Sequence, residues 1–137
     1  YHIQGLPNRF AGQGSRKYEQ PIKGNKKFKT FPNWDKDWSK NSEYVALFPN
    51  VLLGVHNDHT FAILLTPEGT GRTVEQVEIY YADEAACDNG YADLRRTNTE
   101  LWRTIFAEDV DVVEGMQHGR SAIGYDGGKF KIQKINR

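Results

Sequence analysis

Carboxylates and imidazoles are the side chains here best suited to holding a metal or moving a proton, and one carboxylate lies where a carboxylate is expensive. The segment Glu108-Asp109-Val110-Asp111-Val112-Val113-Glu114-Gly115-Met116-Gln117 reads as helix. At 3.6 residues per turn Trp102, Ile105, Asp109, Val112, Val113 and Met116 share one side, while Glu108, Asp111 and Glu114 fall away from it. Asp109 is therefore expected in the apolar stripe, where losing water costs several kcal/mol unless a partner compensates. An arginine or lysine, the free amides of a helix start, or a metal would each serve.

The imidazoles are His2, His56, His59 and His118. His118 follows Asp109 by nine residues, about half a turn away around the helix, and is a poor companion for it. His56-Asn57-Asp58-His59 reads as a solvent-exposed hairpin loop between apolar stretches. The single cysteine, Cys87, excludes an internal disulfide and any cluster that needs two thiolates from this chain.

The elements that must position these groups follow from periodicity. Tyr44 to Phe48, Val51 to Val55, Thr60 to Leu65 and Thr73 to Tyr81 alternate or run apolar between turn residues, which predicts an antiparallel meander. Asp83 opens a helical region, interrupted near Asp88-Asn89-Gly90 and continuing from Tyr91 through the Glu108 segment, with Gly119 as its expected stop. A last strand is expected from Phe130 to Ile135. Sheet followed by long helix predicts an α+β class, the helix lying across the sheet and a substrate pocket between them.

A chain of 137 residues, 38% hydrophobic, suits one domain, 1–137. Residues 1–40 form a basic arm, expected to be irregular, with nine Lys/Arg against three Asp/Glu; the remainder reverses that imbalance, so the net charge is zero. Trp34 and Trp38 would frame one helical turn that docks on the body. Lys23, Lys26, Lys27 and Lys29 interleave with Phe28 and Phe31, a mixture able to grip phosphates and stack on bases. No nucleic-acid motif accompanies it, and nucleic acid is not an expected partner. No apolar run approaches the roughly 20 residues of a membrane span and Tyr1-His2-Ile3-Gln4 does not read as a signal peptide, so no membrane association and a cytoplasmic location are expected.

The stretches Tyr1-His2-Ile3-Gln4-Gly5-Leu6, Leu47-Phe48-Pro49-Asn50, Leu64-Leu65-Thr66-Pro67, Gly71-Arg72-Thr73 and Glu108 to Gln117 resemble the catalytic, C-terminal domain of Rieske-type non-heme iron (ring-hydroxylating) oxygenase α subunits. The resemblance implies a helix-grip fold, an antiparallel β-sheet curved around a long C-terminal α-helix. It implies mononuclear Fe(II) held by two histidines and a carboxylate, an arrangement that leaves positions for oxygen. By it His2 and Asp109 are the catalytic metal ligands. Position 7, where the pattern places the second histidine, carries Pro7. The resemblance further implies hydroxylation of a small organic substrate by O2, either a quaternary ammonium or an aromatic compound. The [2Fe-2S] Rieske cluster would lie outside this chain, electrons would come through the Rieske domain and a reductase, and the full-length protein would be a homo-oligomer. This chain would then be a partial catalytic domain, inactive alone. The alternative left by Pro7 is a helix-grip small-ligand-binding domain that has lost its iron.

Overall fold

The alternating stretches of the middle of the chain pair as their spacing predicts. In the computed structural model, which describes residues 2–127, six strands run β1 (His2–Leu6), β2 (Phe10–Ser15), β3 (Ser42–Leu47), β4 (Val51–Val55), β5 (His59–Pro67) and β6 (Thr73–Tyr81). They form one antiparallel sheet in the order β1-β2-β3-β4-β5-β6, so every strand lies beside its sequence neighbour. Two short 3-10 turns, Glu84–Cys87 and Asn89–Tyr91, lead into a single helix α1, Ala92–Arg120. The class is α+β, an antiparallel sheet followed in the chain by one long helix, the elements of the expected helix-grip type. The chain divides after Arg95 into two compact units, one holding the sheet and the other most of α1.

Two expectations are corrected here. Residues 2–15, expected to be irregular, form the edge hairpin β1–β2, because backbone pairing to β3 sustains strands that carry few apolar side chains. The helix runs through Gly119 to Arg120 rather than stopping at the glycine. The expected strand from Phe130 to Ile135 lies outside the described residues.

Sheet register decides which side chains can meet, since in-register partners share a face and adjacent rows point oppositely. One row is Ile3, Gln13, Tyr44, Gly54, Phe61 and Ile79; the next is His2, Gly14, Glu43, Val55, Thr60 and Tyr80. Along β5 the first face is buried at His59, Phe61 and Ile63. Opposite Phe61, Gly54 is required by close approach: a Cβ there would stand 2.2 Å from the Phe61 ring. Gly54→Ala is expected to destabilise the fold by about 1–3 kcal/mol, as overpacking does, with a lower urea midpoint at unchanged m-value; an unshifted midpoint would mean that the ring moves freely.

The basic arm is held by side chains that the sequence offered as a phosphate-binding patch. Phe28 is buried with Ala86 and Leu94, flanked by Tyr81 and Tyr91, and is a core residue rather than a stacking platform. Lys29 pairs with Asp83, whose other contact, at 3.1 Å, accepts from the Ala85 N–H and caps the first 3-10 turn. The Lys29 ammonium holds the Asp83 carboxyl below its usual range. Lys26 donates to the Gly90 carbonyl and lies 5.4 Å from the centre of the Tyr91 ring. The turn expected at the tryptophans is present as a 3-10 turn, Lys36–Trp38, capped by Asp35, with Trp34 Nε1 donating to the Trp38 carbonyl at 3.0 Å.

Candidate functional site

His2 stands on the edge strand β1. Its cross-strand neighbour is Gly14, and Gly14 in turn pairs with Glu43 on β3. The glycine leaves a gap over which the two flanking side chains meet, His2 Nε2 to Glu43 Oε2 at 3.1 Å. A carboxylate only accepts, so Nε2 carries the proton shared with Glu43. The His2 side chain is 44% exposed.

Pro7 has a structural account. It occupies the second position of the Leu6–Arg9 turn that joins β1 to β2, closed by Arg9 N–H donating to the Leu6 carbonyl at 3.1 Å. Asn8 follows with φ +60°. Proline second and a left-handed asparagine third are the preferences of a type II turn. Position 7 is thus a turn corner, and it supplies no donor.

Asp109 does not lie in a buried stripe. Trp102 is buried and Ile105 and Phe106 are half-buried, but from Ala107 to Arg120 every residue of α1 is exposed, including Asp109, Val113 (63%) and Met116 (56%). An amphipathic pattern states which face a helix could bury, and it carries no information on whether a covering surface is present. The cost of desolvation that singled out Asp109 is therefore not incurred within the described residues.

The largest departure concerns His56-Asn57-Asp58-His59. Expected in solvent, His56, Asp58 and His59 are fully buried. The segment is a two-residue β4–β5 turn, closed by His56 N–H donating to the His59 carbonyl at 3.0 Å, and it is the place where the arm is fastened. Tyr18 Oη donates to Asp58 Oδ1 at 2.7 Å, and His59 Nδ1 reaches the same oxygen at 2.9 Å, so it is the protonated nitrogen. Gln20 Nε2 donates to Asn57 Oδ1 at 3.1 Å, and Asn57 Nδ2 donates to the Ser39 carbonyl at 2.6 Å. The Phe31 and Ala82 N–H groups donate to the Asn57 and Asp58 carbonyls. The His56 ring stacks on His59 with centroids 4.7 Å apart and planes within 14°, with Tyr18 at 4.5 Å.

Burial first, and then neighbouring His59, push His56 down to about 3. Burial, with the charge of Asp58 second, pushes the Tyr18 phenol up, so it stays a donor. Sequence reasoning missed Tyr18, Asp58 and Glu43. One signal was available: His59, Phe61 and Ile63 are in phase, which assigns His59 to the buried face of β5.

His59 and His2 belong to rows of opposite parity and project from opposite faces of the sheet, so His59 does not replace the donor missing at position 7; the His56 ring lies stacked on it. Among the described residues no three His, Cys, Asp or Glu side chains gather as a metal site. His2, with one ring nitrogen held by Glu43, and Asp109, with an exposed carboxylate, each have the chemistry of an iron ligand. The resemblance would make them two of three donors, and the described residues leave that assignment untested.

The sequence signature described as ring hydroxylating alpha subunit (catalytic domain) matches residues 3–134. The chain belongs to that family. The match spans almost its whole length and takes in Pro7 and Asp109, while His2 precedes its first residue. No curated protein and no solved structure shows significant similarity to the chain. Membership makes the chain part of an oxygenase α-subunit catalytic domain, a family that works in multi-component systems. Among the described residues no helix is long and apolar enough to cross a membrane.

Proposed function

We propose that this chain is the catalytic-domain portion of a Rieske-type oxygenase that hydroxylates a small organic substrate, a quaternary ammonium or aromatic compound, with O2 at mononuclear Fe(II). The observation that supports it best is the family match over residues 3–134. His2 and Asp109 would hold the metal, and the iron, when bound, would supply the site at which oxygen is activated beside the substrate. The part of His2 is to offer one nitrogen in a fixed direction, and that of Asp109 is to offer an anionic oxygen. Electrons would come from a Rieske [2Fe-2S] domain and a reductase outside this chain. A cytoplasmic homo-oligomer is the expected full-length form.

Pro7 favours a second reading, a helix-grip small-ligand-binding domain that no longer carries iron. Anaerobic reconstitution with Fe(II), followed by desalting and metal analysis, separates the two. The oxygenase reading expects stoichiometric iron, with Asp109→Ala losing affinity by more than the roughly 10–100-fold typical of a residue that merely supports a ligand. Absence of iron from the intact chain sinks that reading and leaves the second. Iron retained undiminished by Asp109→Ala removes Asp109 from the site.

A further inference from the structure

We infer that the uncovered C-terminal half of α1 is the docking surface for the basic stretch Lys129 to Ile135 of this same chain, which lies outside the described residues. The inference goes beyond the oxygenase reading and needs no metal.

The surface comes first. The apolar stripe that starts at the buried Trp102 continues through Val112, Val113 and Met116, which are 60%, 63% and 56% exposed, and Val110 beside them is half exposed. At 3.6 residues per turn Val112, Met116, Val113 and Val110 cover roughly 160° of the helix, and Glu108 and Glu114 lie about 40° outside its two edges. Between Ala107 and Gln117 there are four acidic residues, Glu108, Asp109, Asp111 and Glu114, and no Lys or Arg. An exposed apolar patch rimmed by polar groups is the mark of an interaction site. This one has acidic margins.

Charge and reach decide what covers it. A second copy of α1 would bring Glu108 and Glu114 against the same acidic margins, and like charges facing each other across an interface repel. The occupant must be basic as well as apolar. Gly128 to Arg137 holds Lys129, Lys131, Lys134 and Arg137 with no Asp or Glu. In an extended chain Phe130 and Ile132 share one face, which suits the stripe, while the long lysine stems carry their ammonium groups to the margins. The chain's other basic and aromatic stretch, Lys23 to Lys29, is already committed through the buried Phe28 and the Lys29–Asp83 pair.

Reach is sufficient. Beyond Arg120, the last residue of α1, the Ser121 and Tyr125 N–H groups donate to the His118 and Ala122 carbonyls, each at 3.0 Å, and Gly127 has φ +90°. These turns break the helical course. From Arg120 back to Val112 is about 12 Å along the axis, whereas seven extended residues cover about 23 Å. Attachment through so short a connection also gives the segment a high effective concentration at the surface, so that modest contacts suffice.

Met116 is the only methionine of the chain, so its methyl group is a single NMR signal. The experiment uses the whole chain with 13C-labelled methionine. The expected result is a nuclear Overhauser effect between the Met116 methyl and the Phe130 ring, with the methyl resonance upfield of an exposed methionine. Phe130→Ser with Ile132→Ser should abolish the effect and return the methyl to the exposed position. Glu108→Lys with Glu114→Lys should weaken it without touching an apolar residue, as should NaCl at about 1 M, where the screening length falls to about 3 Å. In an equal mixture of unlabelled chains with chains carrying both 13C-methionine and deuterated phenylalanine, the effect should vanish, because both groups belong to one molecule.

A Met116 methyl at the exposed position in the parent chain, with no effect to Phe130, overturns the inference. Persistence of the effect in the mixed sample hands the surface to a second copy and overturns it as well. An effect of full size in the Glu108→Lys, Glu114→Lys chain overturns the charge pairing that selects this segment.

Discussion

Asp58→Ala is expected to lower the stability of the fold by about 3 kcal/mol or more, the largest loss from any single change considered. Asp58 Oδ1 accepts from both Tyr18 Oη and His59 Nδ1 at 2.7 and 2.9 Å, and Asp58 and His59 have no exposed surface. Truncation leaves two enclosed donors facing the same vacated space. Each unsatisfied buried donor costs about 1–3 kcal/mol, with more when a charged acceptor is removed. The cavity left by the carboxylate adds to this.

Two companions divide the effect. Tyr18→Phe removes one donor together with the need for it and should cost about 1 kcal/mol. Asp58→Asn keeps an accepting oxygen and should fall between. Urea unfolding followed by tryptophan fluorescence gives the midpoints. Amide exchange of Phe31, whose N–H donates to the Asn57 carbonyl at 2.8 Å, reports whether the arm loosens with the turn. A midpoint for Asp58→Ala within about 0.5 kcal/mol of the parent chain would remove the turn from its place as the fastening of the arm.

That this turn escaped sequence reasoning shows which physical information a sequence carries and which it withholds. Strands β3 to β6 were legible because apolar runs and period-two alternation between turn residues mark strands, and in β5 the alternation coincides with a buried face. The hairpin β1–β2 was not, since its pairing energy lies in backbone groups that are the same whatever the side chain. His56 and Asp58 looked solvated because polar residues between strands usually are. Their burial depends on Tyr18 and Gln20, some forty residues earlier, and nothing local announces such a partner.

The candidate site divides the same way. Asp109 and His2 were legible as donor types in a family pattern. The exposure of Asp109 depends on what covers α1, and Glu43 became visible only when register placed it beside His2 across Gly14. Pro7 was legible as a missing ligand but not as a working turn residue. Its role needed the left-handed φ of Asn8 to be seen.

Acid should unfasten the same turn, and the sign follows from His56. Its imidazole is held down to about 3 in the folded chain, by burial first and by His59 second. In the unfolded chain it titrates near the ordinary value of about 6.5. Between those values the unfolded state binds more protons, so stability rises with pH there. The contribution is fully present above about pH 6.5 and is lost as pH falls towards 3, at about 1.4 kcal/mol per unit where the difference in protonation is complete. Against a total of about 5–15 kcal/mol for a typical domain, two units of acidification remove a large share.

Other ionisable groups face the ring: Asp58 and His59 in the turn, Tyr18 from the arm and Tyr44 from β3. A bare pH profile would therefore mix their effects. The difference between the parent chain and His56→Gln isolates the one group, because the variant keeps a polar side chain but has nothing to protonate. Urea midpoints from pH 7 to pH 4 should fall more steeply in the parent chain, and the two curves should converge as pH drops, with the variant the less stable at pH 7. Parallel curves would mean that His56 is protonated with equal ease folded and unfolded, which its enclosure between Tyr18 and His59 does not permit.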